Sequence, residues 1–339
     1  MTNNRMIKLE VLELFGGIGA CSKTLERLGI DYEIADYVEI DKYAVKSFNA
    51  IHNTNFEPQN IQNWNKDIKV DLIMHGSPCQ DFSLAGKQAG GDEGSGTRSS
   101  LMYETIRIVE KLKPKYVIWE NVKNLLSKKH IHNFNAYLET MEQLGYTNYY
   151  QVLNAKDYGI PQNRERVFTI SIRKNINKNF KFPPKQELKL KLKDMLEDEV
   201  DEKYYLSGKM VSYIIADNEK WTGNNGKCIV NKDIATTINT KEGTRRCDAS
   251  NYISDDVLDN FDLKEIIDLK TSLDIGCVTN NLRIRKLTPK ECWRLMGFDD
   301  EDFEKASEVC SNAQLYKQAG NSIVVNVLEA ILKELLLKN

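Results

Sequence analysis

The 339 residues carry 47 Lys and Arg against 49 Asp and Glu, a formal net charge of −2, with 41% hydrophobic and 28% charged side chains. That balance is ordinary for a globular chain larger than one domain and does not announce a polyanion partner, so any nucleic-acid surface must be local. No apolar run is long enough to span a membrane and the N-terminus lacks a secretory core; seven scattered cysteines without a C-x-x-C pair argue against a disulfide framework or a zinc site and for a reducing compartment, the cytoplasm.

The first predicted element is an apolar strand over residues 8–14. It runs into Phe15-Gly16-Gly17-Ile18-Gly19-Ala20 and then a helix over 21–28, the opening of a nucleotide-binding βαβ unit. Gly17 and Gly19 let a ligand approach the backbone. A second strand, 32–38, ends at Glu39, twenty residues past Gly19, where a carboxylate would take both hydroxyls of a ribose. The bland alternatives are a plain tight turn and a surface glutamate. The pattern does not separate a dinucleotide from S-adenosylmethionine, but Ser22 stands where G-x-G-x-x-G needs its last glycine, which tilts away from a pyrophosphate.

A helix follows over 41–51 with Asp41 as N-cap. The apolar run 70–74 reads as a buried strand and leads into Gly-Ser-Pro-Cys-Gln-Asp-Phe-Ser-Leu at 76–84, with glycines at 86, 90, 91, 94 and 96 beyond. A thiol at the C-terminal edge of a strand, facing a glycine-rich lid, is where an open α/β sheet places a nucleophile; taken alone, Cys79 reads rather as a structural cysteine in a turn. The pattern predicts an amphipathic helix over 98–112 stopped by Lys113-Pro114, then a buried strand 115–119 ending in Glu120-Asn121-Val122. Between Trp119 and Val122, desolvation would raise the pKa of Glu120 and let it donate a proton near neutrality; a solvated strand-end glutamate is the plain alternative.

A helix over 134–144 carries a Met and aromatic stripe that is core. Strands over 148–153 and 166–172 flank Tyr158-Gly-Ile-Pro-Gln162-Asn-Arg164-Glu-Arg166. Arg164 and Arg166 alternate, so on a strand both face one way, suited to phosphate or carbonyl recognition, unless they merely ion-pair through Glu165. From 173 the composition shifts to a lysine-rich run and then, at 194–202, six acids, a candidate domain boundary. Helix and strand signals are weak to about 282, with Lys241 and Arg245-Arg246 in one loop able to read a groove or decorate a scaffold. Pattern returns at 283–298, where Thr288-Pro289 caps a helix and Gly297 closes it. A last helix is expected from Gly320-Asn321-Ser322 onward, striped by Val324, Leu328, Ile331 and Leu335.

Six pieces in order, Phe15-x-Gly17-x-Gly19, Pro78-Cys79-Gln80, Glu120-Asn121-Val122, Gln162-x-Arg164-x-Arg166, Arg285-Lys-Leu-Thr288-Pro289-x-Glu291 and Gly320-Asn321-Ser322, resemble the DNA (cytosine-5)-methyltransferases. The likeness covers 8–172 and 283–337. It implies a doubly wound, mainly parallel, Rossmann-like α/β sheet, with residues 1–175 plus 283–339 as catalytic domain and a loop-rich target recognition domain at 176–282, in which Thr237-Ile238 matches a short family signature.

By that resemblance, Cys79 is a thiolate that adds to carbon 6 of a flipped-out cytosine in duplex DNA, Glu120 holds or protonates ring N3, and Arg164 and Arg166 position base and loop. The cofactor is S-adenosylmethionine, lined by Phe15, Gly17, Gly19, Glu39, Ile40, Asn60, Ile61, Pro78, Asn321 and Ser322. Gln80, Ser83, Gln162, Thr237 and Arg245 are the candidate DNA or base contacts. No metal is implied; the expected form is a monomer, with a cognate restriction endonuclease as candidate partner. Two departures stand out: Asn60 where the family often has Asp, and Ile40 where an aromatic often follows the ribose-binding Glu. Three rivals are a transfer-RNA cytosine methyltransferase, disfavoured because Cys-Phe-Thr is absent, a nicotinamide dehydrogenase, and a non-catalytic DNA-binding regulator that would tolerate Cys79→Ala.

Overall fold

The computed structural model describes residues 8–78, 101–215, 229–243, 251–255, 261–262 and 283–338. The chain divides into two compact units, one from Met1–Asn154, Glu165–Lys185 and Ser322–Asn339, the other from Ala155–Arg164 and Gln186–Asn321.

The first unit is built on a six-stranded sheet. Its elements run β1 (Leu9–Leu14), α1 (Ala20–Arg27), β2 (Tyr32–Val38), α2 (Lys42–His52), β3 (Leu72–His75), α3 (Met102–Leu112), β4 (Tyr116–Val122), α4 (Ile131–Gln143) and β5 (Tyr146–Asn154). Past the two-residue β6 (Gln162–Asn163), which belongs to the second unit, β7 (Glu165–Arg173) completes the sheet in the order β2-β1-β3-β4-β7-β5. The pairs β1/β2, β1/β3 and β3/β4 are parallel, and β7 runs antiparallel to both β4 and β5. The mainly parallel α/β sheet implied by the resemblance is therefore present. Its central strands are rich in apolar residues because they are covered on both faces: Val11, Leu12, Leu14, Leu72, Ile73, Val117 and Ile118 are all fully buried.

Register does the work of assembling a site. Leu14 lies opposite both Val38 and His75, and His75 lies opposite Trp119. The residues that follow these four positions, Phe15, Glu39, Gly76 and Glu120, thus emerge along one edge at the C-terminal ends of parallel strands, where open α/β sheets place their ligands. Glu120 lies within β4, one step further inside than the strand end read from sequence, because β7 pairs with β4 as far as Val122.

The local signals explain most helix limits. Asp41 caps α2 by accepting from Tyr43 N at 3.0 Å. Lys113, at φ 48°, and Pro114 end α3. The last helix is a correction: Gly320 and Asn321 end one helix, Ser322 to Val324 break the chain, and the next helix, Val325–Leu332, starts after them and not at Gly320. The stripe of Val324, Leu328, Ile331 and Leu335 is buried as expected. Thr24 Oγ1 of α1 donates to Val325 O at 3.4 Å, anchoring this C-terminal helix beside α1.

Beneath the site edge lies a ring cluster. His75 stacks 5.7 Å from Trp119 at an interplanar angle of 5°, Trp119 lies 4.2 Å from Tyr137, and His75 Nε2 bonds the Tyr137 hydroxyl at 3.2 Å. Burial pushes the His75 imidazole from 6.5 down to about 3. Between those two values the unfolded chain takes up a proton that the folded one excludes. Its contribution to stability is complete above pH 6.5 and falls away as pH drops toward 3. Urea midpoints measured from pH 7.5 down to 5 should fall more steeply for the parent than for His75→Gln.

The second unit contains α5 (Gly208–Ile215), β8 (Ile229–Val230), β9 (Ala235–Thr236), β10 (Tyr252–Ser254), β11 (Phe261–Asp262) and β12 (Ile284–Lys286), then α6 (Pro289–Arg294), α7 (Asp300–Val309) and α8 (Asn312–Asn321). β11, β8, β10 and β12 form one small sheet, and β6 pairs with β9. Strands of two or three residues carry no readable period, which is why the sequence looked patternless here. The segment after Arg283 packs with the stretch after Gln186, held by Arg294 donating to Met195 O at 3.1 Å and Leu196 O at 2.8 Å.

Candidate active site

The glycine turn after β1 is a run of left-handed residues: Phe15 at φ 54°, Gly17 at 57° and Gly19 at 83°. Phe15 N donates to Val38 O at 2.7 Å, extending the parallel ladder one residue past β1. At Gly17 a Cβ would meet nothing within 4 Å, so open space lies before the backbone; at Gly19 it would fall 2.3 Å from His52 Nε2. Glu39 closes the turn: its Oε2 accepts from Gly17 N at 3.2 Å and its Oε1 from Asp41 N at 2.8 Å. Burial raises the Glu39 carboxyl, and the two backbone donors oppose it.

Three supports were invisible as such in the sequence. The Tyr37 hydroxyl donates to Gly17 O at 2.6 Å. Glu13, buried in β1, accepts from the backbone and hydroxyl of Ser22 and so ties β1 to the first turn of α1; burial pushes its carboxyl up. Asp36 holds the segment after α2, accepting from Gln59 Nε2 at 3.0 Å and Trp64 Nε1 at 2.7 Å. A carboxylate inside an apolar strand, as at Glu13 and Asp36, is the signal that could have found them.

Ile40 is 68% exposed, an apolar surface beside Glu39. Asn60 spends one lone pair of its side-chain oxygen on Gln62 N at 3.0 Å, capping the turn Ile61–Asn63. The Ile61 side chain is 4% exposed and its carbonyl accepts from Arg107 at 3.1 Å.

The second cluster lies at the ends of β3 and β4. Trp119 Nε1 donates to Ser77 Oγ at 3.0 Å and Asn121 Nδ2 to Ser77 O at 3.4 Å. A Cβ at Gly76 would lie 3.7 Å from Glu120 Oε2 and 3.6 Å from Ile323 Cδ1. Glu120 is not in apolar surroundings alone: Arg166 Nε of β7 pairs with its Oε1 at 3.0 Å, on side chains 18% and 12% exposed. Pro78 is half-buried; Cys79, Gln80 and Ser83 lie outside the described residues, as does Arg245.

Arg164 and Arg166 do not share a strand face. Arg164 falls between β6 and β7 and serves the second unit, donating to Ile238 O at 2.7 Å and Gly320 O at 3.1 Å. Gln162 is fully buried there, giving Nε2–H to Leu295 O at 2.7 Å and accepting from Ile238 N at 2.9 Å. Thr237 Oγ1 donates to Asn163 O at 2.8 Å. Asn321 is exposed at the end of α8, and buried Ser322 donates to Ile323 O at 3.1 Å. Among the described residues no group of three or more His, Cys, Asp or Glu is placed to hold a metal, and no helix is long and apolar enough to cross a membrane.

The glycine turn closed by Glu39 and the Glu120–Arg166 pair beside Gly76 lie in one compact unit, and the whole chain resembles known proteins. Type II methyltransferase M2.ScrFI of Lactococcus lactis subsp. cremoris is 37% identical, over 96% of this chain and 99% of its own. Orphan methyltransferase M.SPRI of Bacillus phage SPR is 32% identical, over 98% of each chain. A crystal structure of a Spodoptera frugiperda DNMT2 mutant superposes with a TM-score of 0.75 at 23% identity, covering 97% of this chain and 99% of that one, which speaks for the fold alone. The family model for C-5 cytosine-specific DNA methylase matches residues 9–337, so this chain belongs to that family.

Proposed function

We propose that this chain transfers a methyl group from S-adenosylmethionine to carbon 5 of a cytosine flipped out of duplex DNA. The observation that carries this reading is the Glu120–Arg166 pair beside Gly76, three residues before Cys79, on the same strand edge as the glycine turn. The turn fits an adenosine-bearing cofactor. Gly17 leaves room for close approach, Glu39 presents a carboxylate at the end of β2 for ribose hydroxyls, and Ile40 offers an uncovered apolar surface for the adenine. Bound there, the cofactor supplies an electrophilic sulfonium methyl.

Carbon 5 of cytosine is a poor nucleophile. Cys79 adds its sulfur to carbon 6, and the new S–C bond makes the ring an enamine whose carbon 5 can attack. Glu120 holds ring N3 and its proton, and Arg166 keeps the carboxylate aimed. Loss of the carbon-5 proton and expulsion of Cys79 then restore the aromatic ring. None of these atoms is reachable in a stacked pair, so the base must leave the helix, at roughly a few kcal/mol. The second unit, with its short strands and loops, would read the surrounding sequence.

Bisulfite sequencing of DNA and of transfer RNA from cells expressing the chain tests this. A cytosine protected within one recurrent short site supports it, and protection confined to transfer RNA overturns the choice of DNA. The cofactor site makes its own prediction. Gly17→Ala should weaken S-adenosylmethionine binding at a stability cost of about 1 kcal/mol from the left-handed backbone. Gly19→Ala should lower the melting temperature further, since its Cβ meets His52 and Phe48 as well. Calorimetric titration and thermal melts separate the two.

A further inference from the structure

Three residues, Gly76, Ser77 and Pro78, join β3 to Cys79, and β4 grips the middle one twice. The Trp119 indole, 1% exposed, donates to the Ser77 hydroxyl oxygen at 3.0 Å, and Ser77 is itself 3% exposed. Asn121 Nδ2 reaches the Ser77 carbonyl at 3.4 Å. The indole has little freedom to do otherwise: His75 lies parallel 5.7 Å away, Tyr137 at 4.2 Å and Phe134 at 5.9 Å. A buried indole N–H has a single hydrogen and must find an acceptor, and here the acceptor is a side chain two residues before the cysteine. Proline fixes its own φ and restricts the residue before it to extended conformations. With Ser77 tethered, little torsional freedom is left in the backbone that enters Cys79.

We infer that Trp119 and Ser77 are a positioning pair, an indole-to-hydroxyl tether that sets the backbone direction into Cys79 and so the approach of its sulfur to the reacting carbon. Neither side chain touches substrate; both act through the nucleophile. The inference rests on the methyl-transfer reading through the role given there to Cys79. Its physical content is geometric, since a nucleophile misplaced by a fraction of an ångström loses rate without losing affinity.

The test is a double-mutant cycle on the full chain with Trp119→Phe, Ser77→Ala and the pair together. Trp119→Phe keeps the ring stack and removes the N–H, and Ser77→Ala is the milder of the two should the first fold poorly. Each single variant should lower kcat about tenfold, the value of about one hydrogen bond, with KM for DNA and cofactor unchanged within about twofold. The combined variant should be no worse than about tenfold, because both remove the same interaction. In parallel, the rate of Cys79 alkylation by iodoacetamide, read by mass spectrometry against Cys310, should change by about threefold or more in each variant. Unaltered kcat and unaltered Cys79 alkylation in folded Trp119→Phe would overturn the inference, as would losses that multiply in the pair. A purely structural role would instead lower the melting temperature and raise KM. Were the parent chain to methylate no cytosine, the functional reading would fail while the alkylation arm still decided on the tether.

Discussion

Replacing Cys79 by alanine should lower methyl transfer to duplex DNA by at least about 10⁴-fold, with duplex affinity largely retained. The size follows from chemistry. Without the sulfur bond at carbon 6, carbon 5 has no enamine electrons to offer, and the base- and cofactor-holding groups that remain stabilise no productive transition state. Retention of binding follows because an alanine removes one sulfur and no charge contact with phosphate. Cys21 and Cys292 give the control. Both are fully buried, and burial pushes each thiol well above its usual range, so neither can supply a thiolate. Cys21→Ala and Cys292→Ala should retain methyl transfer in whatever fraction stays folded. A tritium-methyl filter assay with a gel-shift titration checks all three variants. Undiminished transfer by Cys79→Ala would remove the covalent mechanism altogether.

The second large effect concerns stability. Arg285 and Glu291 form a bidentate pair, Nη1–Oε2 and Nη2–Oε1 both at 2.9 Å, on side chains 3% and 0% exposed. The same carboxylate accepts from Thr288 N at 2.8 Å and Glu197 N at 3.0 Å, so one glutamate joins β12, the capping box of α6 and the segment from Gln186. Arg285→Ala strands a buried carboxylate and should cost about 3–5 kcal/mol. Glu291→Ala strands the guanidinium and both backbone donors and should cost at least as much. The paired change Arg285→Met with Glu291→Leu should recover part of the loss. The unpaired charge is gone, but the buried Thr288 N–H remains unsatisfied, at about 1–3 kcal/mol, and the half-buried Glu197 N–H loses its partner too. Urea unfolding of the three variants measures this; equal stability of Arg285→Ala and the parent would show that water reaches the pair.

The two arginines near residue 165 show where sequence reading stops. Their alternation correctly marks an extended stretch, yet the strand is interrupted at Arg164, so one guanidinium turns to the carbonyls of Ile238 and Gly320 and the other to Glu120. Alternation fixes sides only while a strand is continuous. Glu13 and Tyr37 brace the glycine turn and Asp36 holds the segment after α2; a strand carboxylate can flag Glu13 and Asp36, but their partners lie up to 28 residues away and are chosen by packing.

By itself the sequence determined the sheet strands, their helices and the edge on which Phe15, Glu39, Gly76 and Glu120 emerge, because hydrophobic period and glycine placement are local properties that act before any long-range contact forms. Only the tertiary structure decided which polar groups meet: that Arg166 and not Arg164 pairs with Glu120, that Ser77 is tethered to Trp119, and that Glu291 joins three segments. Hydrogen bonds and ion pairs reach about 3 Å and are directional, so a displacement smaller than one residue's rise decides them.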